Sequence, residues 1–297
     1  MRLAYYALTI LCFSTPIIAQ TASNPLVSKN VATPYFSALA IQGPVNVYIN
    51  AAPTASTVPT LQLFGDPKTV SAVTWKIKSQ TLYLETKWNY WPHYGDRLTI
   101  KVNITPTQLN QIRFNSNGSL SGKGLAGSLS LMTQGNGSIK LCTNQLNLKL
   151  LSVNGKTNIT LHHIHSTNLI IQGKNEGKIK LEGEAALQMI NLTGNGNLML
   201  YWVNSPYLKI NAAGTGKILL AGIVKTLDIH LMQSAFLFAK SLRADNGFIE
   251  TQNQAHAEIT IRNKLNALAK DDSVIYYSKP VKFLNSFNQT TGLVLAN

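Results

Sequence analysis

A short glycine-containing phrase recurs through the middle of the chain at an almost constant interval. Each copy places a Gly or Asn turn before an aliphatic residue, as in Gly135-Asn-Gly-Ser-Ile139 and Gly214-Thr-Gly-Lys-Ile218. These aliphatic anchors lie at positions 120, 139, 159, 179, 198, 218, 237, 259 and 275, and the first seven are spaced by 19 or 20 residues. Such a regular period predicts a stack of similar structural units.

Apolar and polar residues alternate on both sides of each anchor, whereas no window shows a convincing helical period. Because successive side chains of a strand point to opposite faces, an anchor and the residue two positions later share one side. The column after the anchors contains Leu141, Leu161, Leu181, Leu200, Leu220, Ala239 and Ile261, and the column eight residues before them contains Leu131, Leu151, Ile171, Ile190, Ile210, Ile229, Thr251 and Ala267. The pattern predicts an all-β solenoid of about 20 residues per rung, with rungs about 4.8 Å apart.

The glycines of the repeat fit sharp corners between strands. A corner that turns within two or three residues needs a positive φ angle, which glycine adopts freely and asparagine tolerates. The later corners replace glycine, at Ser234-Ala235, Ala255-His-Ala257 and Asp271-Asp-Ser273. We therefore expect the last rungs to be less regular than the middle ones.

The N-terminal segment has the composition of an export signal. Residues 1–19 combine Arg2, an apolar run and Ala19 before a plausible cleavage point, which predicts a signal peptide. Residues 20–34 are expected to form a flexible lead-in, 35–115 irregular first rungs or a cap, 116–280 the regular rungs, and 281–297 a C-terminal tail. Removal of the signal would leave Cys142 as a lone cysteine, so no intramolecular disulfide is expected.

The chain carries a formal net charge of +14. Such a charge favours attraction to anionic envelope polymers or lipid surfaces. A merely soluble basic surface explains it equally well. Nucleic-acid binding is a poor fit, since the basic residues are scattered and no recognition motif is present.

Three sets of residues resemble a known family: the Gly-x-Gly-x-Ile phrases, the opening Gly43-Pro-Val-Asn-Val47 and the closing Val274-Ile-Tyr-Tyr-Ser-Lys-Pro280. Together, over roughly residues 35–292, they are similar to the bacterial family called "putative auto-transporter adhesin, head GIN domain" (DUF2807). The resemblance implies a right-handed parallel β-helix in an exported envelope protein. It implies no catalytic residues. From the length of the sequence we expect no translocator barrel, which is a departure from the family name.

Acidic and imidazole side chains offer few candidates for chemistry. Glu182 and Glu184 could face the same way on a strand, but nearby Lys178 and Lys180 favour a solvated ion-pair patch over an acid–base pair. Asp271 and Asp272 occupy a turn, where Asp is common. His163 and His165, beside His162, could supply two metal ligands if the strand continued there, but no third ligand is visible, so a polar corner is favoured. We expect no catalytic residue, metal or cofactor.

Two surfaces are candidate binding sites. The first is an aromatic segment containing Trp88, Tyr90, Trp91 and Tyr94, which could stack on sugars or anchor a protein, or could instead cover an open end of the solenoid. The second is a set of lysines next to the anchors, Lys140, Lys178, Lys180 and Lys217, which are expected to point outward. They could follow a polyanionic chain, or could simply protect a strand face from aggregation.

Taken together, these features predict an exported, non-enzymatic protein of the cell envelope or surface, of adhesin type. It would act in the periplasm, on the outer surface or outside the cell, without an integral membrane segment after signal cleavage. Its expected partners are envelope or host glycans, anionic polymers or a protein, and not nucleic acid. The alternatives are a polysaccharide-active enzyme on the same scaffold and a purely structural envelope protein.

Overall fold

The computed structural model describes residues 25–52, 58–86 and 98–297. The predicted signal peptide and the aromatic segment 88–94 therefore lie outside the described residues. The elements are β1 (Val27–Ala32), β2 (Ala38–Gln42), β3 (Asn46–Ala51), β4 (Thr60–Gly65), α1 (Pro67–Ala72), β5 (Val73–Lys78), β6 (Thr81–Thr86), β7 (Leu98–Ile104), β8 (Gln111–Asn115), β9 (Ser119–Lys123), β10 (Ser128–Gly135), β11 (Ser138–Gly155), β12 (Asn158–Asn175), β13 (Lys178–Gly194), β14 (Asn197–Gly214), β15 (Lys217–Gln233), β16 (Phe236–Thr251), β17 (His256–Lys270), β18 (Val274–Tyr277), β19 (Phe283–Gln289) and β20 (Leu293–Ala296).

The long strands β11 to β17 each form one rung and pair in parallel with the next. The anchors align directly, since Ile139 pairs with Ile159, Ile159 with Ile179, and Ile179 with Leu198. All of them are buried in one continuous apolar core. The predicted β-solenoid is confirmed, with about ten turns of about 19 residues.

The register of the later rungs differs from the one predicted. Ala257, not Ile259, pairs with both Leu237 and Ile275. In the column that was predicted eight residues before the anchors, Ile249, not Thr251, pairs with Ile229 and Ala267. Ile259 instead pairs with Ala239. It therefore holds the position in the column two residues after the anchors that was predicted for Ile261. A shift of two residues keeps a strand side chain on the same face, so the alternation alone could not detect the error.

The first corner of each rung lies at the glycine phrase itself. Gly194 and Gly214 have φ angles of 105° and 110°, and they are stacked in register. Gln233 pairs with Gly214 and keeps a positive φ of 60°, and Asn253 and Asp271 continue the corner with similar angles. The solenoid thus persists where glycine is replaced, and the departure from regularity comes at its end. There β17 pairs with two separate short strands, β18 and β19.

Both ends of the described chain differ from a simple rung. At the N-terminal end, β4 is antiparallel to β1 and β7, and β5 is antiparallel to β6. At the C-terminal end, the segment expected to be a tail contributes β19 and β20 to the last rung. Helix α1 was not predicted, because six residues are too few to display a helical period; Pro67 suits its first turn.

The described part of the chain contains no helix that is long and apolar enough to cross a membrane.

Candidate binding groove

A second corner, on the side of the rungs away from the glycine phrase, has an irregular composition. It is marked by positive φ angles at Gln145, His163, Gly183, Trp202 and Gly222, one on each of five consecutive rungs. At positions 183 and 222, close packing between rungs explains why the residue is glycine. A Cβ atom would lie 2.1 Å from the Ile164 carbonyl oxygen in the first case and 2.0 Å from that of Val203 in the second. Only glycine fits there.

Trp202 is the largest of the three side chains, with those of Gln145 and His163, that have a positive φ at this corner. Its φ is 71°, a left-handed conformation that is rare for a bulky side chain and costs roughly 1–2 kcal/mol. Its side chain is not stabilised by burial, since 73% of the residue is exposed. A strained backbone that presents an exposed aromatic ring is a feature of binding surfaces more than of packing.

The ring borders an open groove of about 800 Å³ that is lined by residues from β13 to β16. Gly183 and Gly222 contribute to its wall, and Tyr201 and Ile223 add exposed apolar surface. Ser241 also lines the groove. The result is a largely apolar depression across four rungs, bordered by the exposed Trp202 ring.

Polar side chains form one edge of this groove. Asn204, Ile223 and Arg243 are in register on β14, β15 and β16, and Glu184 lies on β13. The Asn204 amide donates a hydrogen bond of 3.3 Å to the Glu184 carboxylate, whose other oxygen is 3.7 Å from Nδ1 of His165. Arg243 forms no ion pair with any carboxylate of the described residues.

Glu182 and Glu184 are separated by the corner at Gly183, so they do not form a carboxylate pair. Glu182 is 2.5 Å from Nζ of Lys180 and also contacts Nδ1 of His162. The Lys180 hydrogen bond, followed by the His162 contact, holds the pKa of Glu182 below its usual value. These contacts are the ion-pair patch expected from the sequence, although its cationic partner is Lys180 and not Lys178.

The three neighbouring histidines are also divided by a corner. His163 has a φ of 60°, and its Nδ1 lies 3.8 Å from Sγ of Cys142, whereas His162 and His165 contact the two glutamates. Within β12 the backbone turns at His163, where φ is positive and the pairing with β13 changes register, so the regular alternation that would place His163 and His165 on one face is interrupted. In residues 25–52, 58–86 and 98–297, no three His, Cys, Asp or Glu side chains are grouped to hold a metal ion.

The lysines selected from the sequence lie on one outer face. Lys140 and Lys180 are in one column with Thr160 between them, and Lys178 and Lys217 are in the next with Asn197 between them. They therefore occur on every second rung, about 10 Å apart. Lys180 is engaged by Glu182.

The aromatic segment with Trp88, Tyr90, Trp91 and Tyr94 lies outside the described residues, so its role stays a prediction. Upstream of it, Trp75 packs partly buried against the core. Nζ of Lys76 lies 5.6 Å from the centre of the Tyr83 ring.

Trp202 was not selected by the sequence reasoning, which concentrated on the other tryptophans. A signal was nevertheless present in Leu200-Tyr-Trp-Val203. Four consecutive apolar or aromatic residues cannot all face the interior of a strand whose side chains alternate. Such a run in the middle of an otherwise alternating repeat indicates exposed apolar surface or a bend, and here both occur.

A second polar network runs along the face that follows the second corner. His230 bridges two rungs, with Nε2 3.2 Å from Asp228 and Nδ1 3.3 Å from Glu250. The Tyr207 hydroxyl donates a 2.7 Å hydrogen bond to Asp228, which raises the pKa of Tyr207. Lys270 donates a 2.6 Å hydrogen bond to Glu250, and this bond is the main cause of the lowered pKa of Glu250.

The fold and this groove together define a β-solenoid with an open groove on its outside, bordered by an exposed aromatic ring. The chain belongs to the family described as "Putative auto-transporter adhesin, head GIN domain" (DUF2807), whose profile matches residues 35–218 and 187–280. The resemblance predicted from the sequence is confirmed. The family supports an adhesin-type protein of the cell surface.

Two solved structures are similar to this chain. One is titled a putative lipid binding protein from Parabacteroides distasonis, with 12% identity, 93% of this chain and 98% of that chain covered, and a TM-score of 0.48. Another is a putative adhesin from Parabacteroides merdae, with 15% identity, 92% and 96% coverage, and a TM-score of 0.46. At these identities and TM-scores no property of those proteins is transferred to this chain. No curated protein matches the sequence.

Proposed function

We propose that this protein is an exported, non-enzymatic adhesin-type protein that holds an extended partner against the outside of its solenoid. The groove at Trp202 is its principal contact surface. The observation that carries the proposal is the exposed Trp202 ring, held in a left-handed backbone conformation beside a groove of about 800 Å³.

The shape of the groove suits a partner that runs along the solenoid axis. Its walls come from four consecutive rungs, so it spans three intervals of about 4.8 Å, or about 14 Å. Concave, mostly apolar surfaces with a few polar groups at the edge are typical of ligand sites. An extended chain can contact all four rungs, whereas a compact small molecule would contact only part of them.

The lysine face offers a second, weaker contact. Lys140, Lys178 and Lys217 are exposed, and they recur at about twice the rung spacing. A polyanion that follows the axis could pair with them in succession, although exposed ion pairs contribute only about 0–1 kcal/mol each. We assign these lysines to attraction and orientation of a partner, and Trp202 to its specific binding.

A non-enzymatic role agrees with how the acidic residues are used. The closely spaced Glu182 and Glu184 lie on either side of a corner, and each contacts a histidine and a further polar side chain. General acid–base chemistry needs one carboxyl group with a raised pKa, whereas the pKa of Glu182 is lowered.

The experiment is a binding screen of purified protein against immobilised envelope polymers, host glycans and intact cells. We expect Trp202→Ala to lose most of the binding that the unmodified protein shows. Phe248→Ala is the matched control, because Phe248 is also an exposed aromatic residue but lies outside the groove. Equal binding by the unmodified protein and Trp202→Ala in every case would contradict the proposal.

A further inference from the structure

We propose that the Trp202 groove binds an acidic oligosaccharide, with the Trp202 ring stacked on a sugar ring and Arg243 paired with a sugar carboxylate. This inference rests on the proposed function and adds the chemical class of the partner.

The platform for a sugar ring is the indole of Trp202. The wall on either side of it includes a glycine, Gly183 on β13 and Gly222 on β15, and neither can carry a side chain without striking the backbone of the preceding rung. No side chain from these two positions narrows the groove at the ring. A flat, exposed aromatic face beside an open groove suits the apolar C–H face of a pyranose, which needs a broad planar contact.

Of the two charged side chains along the polar edge of the groove, Glu184 is already engaged by neighbouring side chains and Arg243 has no ion pair in the part of the chain that the structure describes. The Glu184 carboxylate already contacts the Asn204 amide and the His165 ring. The exposed Arg243 guanidinium, by contrast, has no ion pair with any described carboxylate, including that of Asp245 two residues further along the same strand. The cation is therefore the group available to a ligand, and it favours an anionic one.

The anion that fits best is a carboxylate on the sugar itself. Arg243 presents a planar fork of donors, which matches the two oxygens of a carboxylate. Asn204 and Ser241 add neutral polar side chains at the groove for sugar hydroxyls. Exposed Lys240 directly precedes Ser241 in the chain, so a second cation lies near the same end of the groove. A chain with several uronic acid residues would use the aromatic and cationic parts together.

Calorimetry with two hexasaccharides tests the inference. One is an oligogalacturonate, and the other is the same hexasaccharide with its carboxylates reduced to primary alcohols. We expect the acidic form to bind at least about tenfold more tightly to the unmodified protein, as a charge-assisted hydrogen-bonded pair implies. Trp202→Ala should weaken binding of both forms, because it removes the platform that both need.

Arg243→Gln identifies the carboxylate contact. We expect it to weaken binding of the acidic hexasaccharide about tenfold and to remove its advantage over the reduced form. Arg262→Gln is the matched control, since it removes the same charge one rung further on, outside the groove lining. The control should keep the preference for the acidic form. Circular dichroism spectra of all three variants should match that of the unmodified protein, which excludes misfolding.

The outcomes separate this inference from the proposed function. Equal affinity for the two hexasaccharides, or an equal loss in Arg243→Gln and Arg262→Gln, would overturn the acidic-sugar inference. If the Trp202-dependent binding found in the screen is to a neutral glycan or a protein, the inference is likewise wrong and the proposed function stands. If no partner in the screen depends on Trp202, both are wrong.

Discussion

At the first corner of the solenoid, glycines fill the left-handed positions of the middle rungs, whereas at the second corner Trp202 keeps a large side chain in the same backbone region. The first corner is closed by hydrogen bonds between rungs. The Gly194 carbonyl, for example, accepts bonds of 3.1 Å from Thr215 N and 3.0 Å from Gly216 N. At the second corner the Trp202 side chain is exposed to solvent. Glycine is used where a Cβ atom would strike the neighbouring rung, as at Gly214 and Gly222, whereas Trp202 shows that the second corner also accepts a large side chain that is exposed to solvent.

The largest effect is expected from adding a side chain to the first corner. A Cβ atom at Gly214 would lie 2.2 Å from the Gly194 carbonyl oxygen, and the φ of 110° is unsuitable for alanine. Gly214→Ala should therefore lower the free energy of unfolding by about 3 kcal/mol, measured by urea denaturation. Gly127→Ala is the control, because its φ is also positive but its nearest contact is 3.4 Å. Equal losses in both variants would show that the close contact between rungs is unimportant.

The second corner should respond in the opposite way. Trp202→Gly relieves the left-handed strain while removing an exposed ring, so the free energy of unfolding should change by less than about 1 kcal/mol. The buried anchor Ile179 provides the contrast, since Ile179→Ala should cost about 3 kcal/mol. The same urea curves decide the point. A loss near that of Ile179→Ala would mean that Trp202 is structural, and the two corners would then be alike.

A substitution at Gln233 tests whether a side chain at the first corner lowers the free energy of unfolding. It is in register with Gly214 and has a left-handed φ of 60°. Gln233→Gly should raise the free energy of unfolding by about 0.5 kcal/mol, as relief of strain slightly exceeds the added chain entropy. Thermal and urea unfolding both measure this change. A decrease would indicate that the Gln233 side chain makes a stabilising contact across the corner.

Ion pairs between neighbouring rungs stabilise the flat faces between the corners. Low pH should therefore lower the free energy of unfolding through these pairs. The Lys270 hydrogen bond lowers the pKa of folded Glu250, so this pair stabilises the fold above the unfolded pKa of about 4.3. That stabilisation is lost as the pH falls through the folded value. Glu250→Gln should lower the free energy of unfolding by about 0.5 kcal/mol at neutral pH and have no effect at about pH 2. A difference that persists in acid would contradict the ion-pair explanation.

Much of the fold could be predicted because repetition multiplies a weak signal. One alternating segment is ambiguous, but copies of Ile139 and Ile159 at a constant spacing leave few other ways to bury the same apolar face. The predicted register was wrong in the later rungs, where the glycine phrase and the large aliphatic anchors are replaced by other residues. In the rung of Ala257, a small anchor stands beside the larger Ile259, and both are buried, so hydrophobicity favoured the wrong residue.

The groove could not be predicted in the same way, because it is assembled across rungs. Glu184 and Arg243 are 59 positions apart in sequence, yet the stack places them on one edge of the same groove. The exposed ring of Trp202 also depends on a corner at that residue, and the repeat phrase marks only the glycine corner.

The amino-acid sequence by itself determined the strands, their period and the interior columns, since alternation and spacing act within and between neighbouring copies. The tertiary structure alone decided the final register, the antiparallel strands at the N-terminal end and the exposure of Trp202. These features depend on which backbone groups pair across rungs, and that pairing is a property of the assembled stack.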